Sequence, residues 1–233
     1  DDFKNYETAI KSPIVGSYRN NLVFTAGPPS GGGVVLLTAL NVLSFFDLSN
    51  IGSNSAKTYH LLAESLRRGH NNRSHQVGDP ALYNVPTDTL LSKERTQELI
   101  EGISMSKATP SSKIKPLRVI NESKDTTHYS IIDSDGNAVS NTYTLGYSFG
   151  SGVTIPGTGI LMNNQMNNFA YRYGDSTIEG RVASPANRFE PGKRPMSTMA
   201  PTMVFDERGD LTLITGSPGG SYIPAAILRV VSA

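Results

Sequence analysis

The feature that most constrains the fold is a change of sequence pattern near residue 126. Before it, apolar residues recur at helical spacing, as at Val35, Leu36 and Ala39, which predicts mainly helices. After it, short alternating runs are separated by turn residues, which predicts mainly strands. We therefore expect an α/β (α+β) chain in two segments: residues 1–125, mainly helical and ending in a polar linker, and residues 126–233, mainly strands.

Three helices are expected in the first segment. They cover residues 34–48, residues 56–68 between a capping Ser55 and a terminating Gly69, and residues 93–103 behind Ser92. Three glycines at 31–33 precede the first helix. They either cradle an anion at the helix start or only make a flexible entry, and the sequence leaves both interpretations open.

Two hairpins are expected in the second segment: residues 129–133 with 138–145, and residues 203–205 with 211–215. The first is built around Asp135-Gly136, a strong turn signal. With these two residues at the centre of the turn, Thr144 lies opposite Thr127 and diagonal to Thr126. A slip of one residue would still leave Thr144 beside Thr126.

Composition excludes several classes of protein. The net charge is +1 with 18% charged residues, which argues against a nucleic-acid binder or a polybasic membrane binder. No apolar run approaches the about 18–20 residues of a membrane span. The chain has no cysteine, and His70 and His75 lie five residues apart without an acidic cluster, so we expect no metal site. We expect no other cofactor either.

Residues 125–130 read DTTHYS, the form that an N-terminal threonine nucleophile takes before its precursor is cut. A hydroxyl becomes a good nucleophile when a base lies within about 2.6–3.2 Å, and the α-amine of the same threonine can be that base after cleavage. The plain alternative is a strand that starts with two β-branched residues. A further alternative is a dyad of Thr126 with His128, which lies on the same strand face.

Further blocks follow DTTHYS in order. They are GNAVSNTYT (136–144), GILMNNQMNNF (159–169), KRPMSTMAPT (193–202) and TGSPGGS (215–221), with GPPSGGG (27–33) and RSHQVGDP (73–80) upstream. Together they resemble the γ-glutamyltransferase family of N-terminal nucleophile hydrolases over nearly the whole chain. The resemblance implies a four-layer αββα sandwich. It also implies that this chain is an internal fragment, incomplete in that fold, which spans the end of a large subunit and the start of a small one.

The resemblance assigns the catalytic residues. It implies autoproteolysis at Asp125-Thr126, with Thr126 as nucleophile and Thr144 hydrogen-bonded to it as an orienting residue. Gly219 and Gly220 would form the oxyanion hole, at the start of a helix that we expect near residue 222. Their backbone N–H groups are not obstructed by a Cβ, and the helix dipole favours an anion there.

The resemblance also assigns the substrate-binding residues. Ser197 and Thr198 match the hydroxyl pair that binds the glutamyl α-carboxylate, and Gln165 matches a residue at the α-amino end. Two departures fall at that end, because Gly146 replaces the family's usual asparagine and Asn168 its usual acidic residue. A neutral amide holds an ammonium more weakly than a carboxylate does. We therefore expect a preference for acyl groups whose α-nitrogen is acylated or missing, such as interior poly-γ-glutamate or glutaryl. The alternatives are drift in a family member of ordinary specificity, or loss of activity.

The expected partners follow from the same resemblance. They are a glutathione-like γ-glutamyl donor, water or an amino-acid or peptide acceptor, and the remainder of the two subunits. A periplasmic or extracellular location is expected on this ground alone. The alternative from another class is a non-catalytic, uncleaved piece that serves as a packing or interaction module.

Overall fold

The structure is a computed structural model, and it describes residues 2–114, 125–170 and 184–233. Its α-helices are α1 (Asp2–Asn5), α2 (Gly32–Leu43), α3 (Leu48–Ile51), α4 (Ala56–Gln76), α5 (Thr87–Leu90), α6 (Lys93–Glu101) and α7 (Ile223–Val231). Its strands are β1 (Ile14–Tyr18), β2 (Asn21–Thr25), β3 (Thr126–Ile132), β4 (Ala138–Thr144), β5 (Thr202–Phe205) and β6 (Leu211–Thr215). Most of the predicted linker lies outside the described residues. None of the described helices combines the length and the apolar character needed to cross a bilayer.

The main sheet is built from both sequence segments. Its four strands run in the order β1-β2-β5-β6, and every neighbouring pair is antiparallel. The first segment supplies β1 and β2, whereas the second supplies β5 and β6. The β3–β4 hairpin forms a separate two-stranded sheet, and Ser140 Oγ on β4 donates to Thr215 O at the end of β6, at 3.1 Å. The two segments therefore fold as one unit.

Strands β1 and β2 were not predicted from the sequence. They are joined by Arg19 and Asn20, whose φ angles of 47° and 68° place both residues in the left-handed region. Such a two-residue turn matches the twist of a hairpin and is usually signalled by Asn-Gly or Asp-Gly. Arg-Asn carries no such signal, so the hairpin was missed.

Helix α2 lies at the centre of the core. Every residue of it except Asn41 is buried, and it packs against α4, α7 and β1. A helix that is apolar on all sides has no face to present to water, which explains its central place. It ends at Leu43, five residues earlier than expected.

Close backbone packing requires glycine at the start of α2, a reason that the sequence did not suggest. A Cβ on Gly32 would overlap with Thr198 O, and a Cβ on Gly33 would overlap with Ala26 O. The backbone N–H of Gly31, the residue just before α2, is also hydrogen-bonded within the protein, since it donates to Ser197 O at 2.8 Å. The glycines thus allow backbone from both segments, at Ala26 and at Thr198, to lie directly on the start of α2.

Helix α4 was predicted to stop at Gly69, but it continues to Gln76. Gly69 is needed for packing, since a Cβ there would lie 2.7 Å from Val35 O on α2. The predicted caps are confirmed: Ser55 Oγ accepts from Thr58 N at 3.1 Å, and Ser92 Oγ accepts from Arg95 N at 3.0 Å.

A buried group of charges on α4 holds the chain at Thr109. Glu64 is 2% exposed and pairs with Arg68 and Arg67. Glu64 Oε1 also accepts from Thr109 N at 2.9 Å. Desolvation raises the pKa of Glu64, but hydrogen bonds from Thr109 and Arg68 outweigh it and leave that pKa below its usual value.

Candidate active site

The β3–β4 hairpin places Thr126 directly opposite Thr144. The prediction that these residues are neighbours is confirmed, but the expected register was wrong by one residue. Gly136 N donates to Asp133 O at 3.1 Å, and Gly136 has φ 83°. The turn is therefore centred one residue earlier than Asp135-Gly136, with Gly136 as the left-handed residue that follows it.

Thr144 contacts the carbonyl of the predicted cleavage junction. Its Oγ1 donates to Asp125 O at 3.1 Å and accepts from Gly146 N at 2.9 Å. We expected Thr144 to hydrogen-bond the Thr126 hydroxyl, and this contact differs because the chain is continuous here. With Asp125 and Thr126 joined, the peptide carbonyl is the acceptor that faces Thr144. Ser148 N also donates to Asp125 Oδ2 at 3.1 Å.

A small cavity gathers most of the predicted site residues. It is lined by Thr126, Thr144, Gly146, Gln165, Asn168, Ser197, Thr198, Met199, Gly220 and Ile223. No charged side chain is in this set. Its volume is about 30 Å³, room for one or two water molecules and far below the about 300–1,000 Å³ of a typical ligand pocket. This cavity alone is too small for a glutamyl group. Four of its lining residues, Thr144, Gln165, Ser197 and Met199, also line an adjoining open cleft of about 1230 Å³, which has room for one.

The glycine pair lies at the start of the last helix, as predicted. Gly219 has φ 118° and Gly220 φ 55°, which is the left-handed region that favours glycine. Gly220 is buried and lines the cavity, whereas Gly219 does not line it. A single 3₁₀ turn, Gly220–Tyr222, then leads into α7. The turn geometry alone requires these glycines, so their role as an oxyanion hole stays a prediction.

The loop that carries Ser197 and Thr198 is held by the first segment. Ser197 N donates to Pro29 O at 3.0 Å. Arg194 N donates at 2.8 Å to Oδ2 of Asp79, a fully buried carboxylate. These bonds fix the position of the hydroxyl pair before any substrate binds.

Arg73 is a candidate site residue that was not predicted from the sequence. It is 5% exposed, and its Nη2 donates to Thr198 Oγ1 at 3.2 Å. The signal was present, because Leu62, Leu66, Gly69 and Arg73 share one face if the helix continues past residue 69. Because the helix was predicted to end at Gly69, Arg73 was not recognised as a cation on the buried face of α4.

At the predicted α-amino end, the described side chains of Gln165 and Asn168 are both neutral amides. Asn168 Nδ2 donates to Gln165 Oε1 at 2.6 Å, and Asn187 Nδ2 donates to Asn168 O at 2.6 Å. The two residues are thus brought together as expected. None of the described residues that line the cavity carries a carboxylate.

His128 does not form the alternative dyad. Its Nδ1 lies 2.8 Å from Thr142 Oγ1 and its Nε2 lies 3.1 Å from Ser130 Oγ, so both ring nitrogens face residues other than Thr126. Burial lowers the pKa of His128, and the ring packs against Gly216. Among the residues that the structure describes, no group of three or more His, Asp or Glu side chains could hold a metal ion.

Comparison with known proteins identifies the family. A family profile described as gamma-glutamyltranspeptidase matches residues 1–233. The chain is 40% identical over 232 residues to the glutathione hydrolase proenzyme of Escherichia coli (strain K12), covering 99% of this chain and 40% of that protein. It is 38% identical over 232 residues to the acylase ACY 1 proenzyme of Pseudomonas sp. (strain SE83), with coverages of 99% and 39%.

Solved structures agree with the sequence comparisons. The crystal structure of cephalosporin acylase from Bacillus halodurans superposes with a TM-score of 0.77 at 26% identity, covering 99% of this chain and 38% of that one. The chain therefore spans about 40% of the length of the curated relatives that it matches. The resemblance that its motifs indicated is confirmed, as is the expected mixed fold of N-terminal nucleophile hydrolases. The chain belongs to the gamma-glutamyltranspeptidase family.

Proposed function

We propose that the complete protein carrying this chain is a γ-glutamyl hydrolase or transpeptidase whose nucleophile, Thr126, is released by autoproteolysis. The observation that carries this proposal is the bond from Thr144 Oγ1 to Asp125 O, the carbonyl of the peptide that must break. Membership of a family whose curated relatives are named glutathione hydrolase proenzymes supports the same reaction.

In the first step the chain cleaves itself. Thr126 Oγ adds to the Asp125 carbonyl carbon, and the negative charge that develops on Asp125 O is stabilised by the hydroxyl proton of Thr144. The Asp125–Thr126 C–N bond then breaks as the nitrogen takes a proton, which leaves an ester on Thr126 Oγ. Water hydrolyses this ester, and the products are a carboxylate on Asp125 and a free amine on Thr126.

In the second step the freed threonine attacks the substrate. Its amine, with a reference pKa of about 7.7–8.0, accepts the hydroxyl proton near neutral pH. Thr126 Oγ bonds to the γ-carbonyl carbon, and the amine of the donor leaves with a proton. Water or an acceptor amine then takes the acyl group, which gives hydrolysis or transpeptidation. In this proposal the backbone N–H groups of Gly219 and Gly220 stabilise the negative charge that develops on the substrate's carbonyl oxygen.

The hydroxyl pair is suited to the α-carboxylate of a glutamyl donor. Ser197 Oγ accepts from Met199 N at 3.2 Å, so its own O–H can donate toward an anion. Thr198 Oγ1 accepts from Arg73, which brings a buried positive charge next to this position. A cation and hydroxyl donors together favour a carboxylate over a neutral group.

Cleavage of the complete protein tests the proposal. Denaturing gels and mass spectrometry should show a cut between Asp125 and Thr126 that is lost in Thr126→Ala. Thr127→Ala is the matched control, because Thr127 is the adjacent threonine on the same strand and its side chain is exposed. An intact wild-type chain would contradict the proposal and favour a non-catalytic module. The periplasmic or extracellular location is likewise proposed, from the family resemblance alone, and cell fractionation tests it.

A second candidate is an acylase that prefers acyl groups without a free α-amine. It is favoured by the uncharged amide pair of Gln165 and Asn168 and by the missing side chain at Gly146. Relatives named acylase support it as well. Comparing kcat/KM for glutaryl and γ-glutamyl anilides separates the two candidates. A strong preference for the γ-glutamyl donor would contradict this one.

A further inference from the structure

We infer that Asn164 is a positioning residue that acts on the Asp125-Thr126 junction through Thr144; this inference rests on the proposed autoproteolysis. Asn164 closes the turn that follows β4 from two sides. Its backbone N donates to Leu145 O at 2.9 Å, and its side-chain Oδ1 accepts from Tyr147 N at 3.0 Å. The carboxamide thus holds residues 145–147 in one conformation.

The absence of a side chain at Gly146 leaves space for these two hydrogen bonds of Asn164, which we call the clamp. It has φ 95°, and a Cβ at this position would overlap with Asn164 Oδ1. The Asn164 carboxamide therefore occupies the space in which a side chain at residue 146 would begin. Glycine at position 146 and the observed position of the Asn164 side chain therefore depend on each other.

The clamp determines where the Thr144 proton points. Held between Leu145 and Tyr147, Gly146 directs its N–H at Thr144 Oγ1, at 2.9 Å. A hydroxyl that accepts one hydrogen bond still has its own proton to donate. For Thr144 that proton goes to Asp125 O, at 3.1 Å. Asn164 itself does not line the cavity around Thr126, so its effect passes through this turn.

Removal of the side-chain acceptor should slow cleavage. We expect Asn164→Leu in the complete protein to process its junction about 10- to 100-fold more slowly, because small misplacements of a reacting group have effects of that size. Asn164→Asp keeps an oxygen that can accept from Tyr147 N, and should cleave close to the wild-type rate. Asn137→Leu is the matched control. It removes a bond to Asp133 at the opposite end of the same hairpin, 2.8 Å long, and should leave the cleavage rate unchanged.

A double-mutant cycle separates positioning from general destabilisation. If Asn164 acts through Thr144, Asn164→Leu has no further effect on cleavage in a Thr144→Ala background. Multiplicative losses, or equal losses in Asn164→Asp and Asn164→Leu, would show a merely structural role and overturn the inference. So would wild-type cleavage of Asn164→Leu. If the wild-type protein itself is never cut, the proposed function fails instead.

Discussion

Arg73→Met tests whether the site is built for a carboxylate. Arg73 comes from the first segment, yet its Nη2 lies 3.2 Å from Thr198 Oγ1. Its stem packs on Gly31, where a Cβ would lie 2.6 Å from Arg73 Cγ. Methionine keeps an unbranched stem in this space and removes only the charge and the donors. The substitution should therefore leave the fold in place and change the electrostatics of the hydroxyl pair.

The size of the effect follows from the geometry. A carboxylate bound to the Thr198 hydroxyl would lie within about 6 Å of the guanidinium, since an O–H···O bond adds about 2.8 Å. At an effective dielectric constant of about 20, two unit charges at that distance interact by about 3 kcal/mol. We therefore expect Arg73→Met to lower kcat/KM for a γ-glutamyl anilide by about 30- to 150-fold, equivalent to about 2–3 kcal/mol.

A donor without the carboxylate supplies the decisive comparison. The 4-aminobutyryl anilide keeps the acyl chain and the amine but lacks the α-carboxylate, so Arg73→Met should change its kcat/KM by less than about threefold. Arg67→Met is the control. It removes another arginine from α4, one that pairs with Glu64, and should leave kcat/KM unchanged for both donors. Equal losses on both donors, or no loss on the γ-glutamyl donor, would refute the assignment of Arg73 to the carboxylate.

Two further predictions concern charge. Asn168→Asp should shift the ratio of kcat/KM toward γ-glutamyl over glutaryl anilides by about tenfold or more, because a carboxylate pairs with an ammonium more strongly than an amide does; an unchanged ratio would argue against this residue as the determinant. Glu64→Gln should lower the free energy of unfolding by about 3–5 kcal/mol at neutral pH, since it leaves two arginines partly uncompensated, whereas the exposed Glu98→Gln should cost less than about 1 kcal/mol. Because the fold lowers the pKa of Glu64 below 4.5, its contribution is complete above that pH and is lost as the pH falls through the lowered value. Urea unfolding of the wild type and both variants, from neutral pH to below the pKa of Glu64, measures this loss. If Glu64→Gln still lowered the free energy of unfolding by the same amount in acid, the reasoning would be contradicted.

Short-range patterns predicted the elements around the junction. Caps at Ser55 and Ser92 and the hairpin signal at Asp135-Gly136 depend on residues close in sequence, and each led to the correct element. The register error arose because Asp-Gly is compatible with two turn types, which differ by one residue in the paired positions. Only contacts of the complete hairpin select between them.

Long-range contacts could not be predicted in this way. Gly69 resembles a helix terminator in the sequence, and only the neighbouring Val35 backbone shows that it is a packing glycine inside α4. The error at Gly69 ended the helix early and concealed Arg73. The bond between Arg73 and Thr198 joins residues 125 positions apart, and no local pattern encodes such a pair. The motifs identified the site, but they could not show which charge supports it.

The distribution of the site over the two segments sets the order of events in the proposed maturation. Ser197 is held by Pro29 and Gly31 of the first segment, so the cavity around Thr126 is assembled only when both segments have folded together. Cleavage must therefore follow folding. After the cut, the pairing of β2 with β5, from Leu22↔Phe205 to Thr25↔Thr202, still joins the two pieces, because none of its hydrogen bonds passes through the junction. The new amine on Thr126 then stays beside Thr144 in a site that the first segment continues to hold in shape.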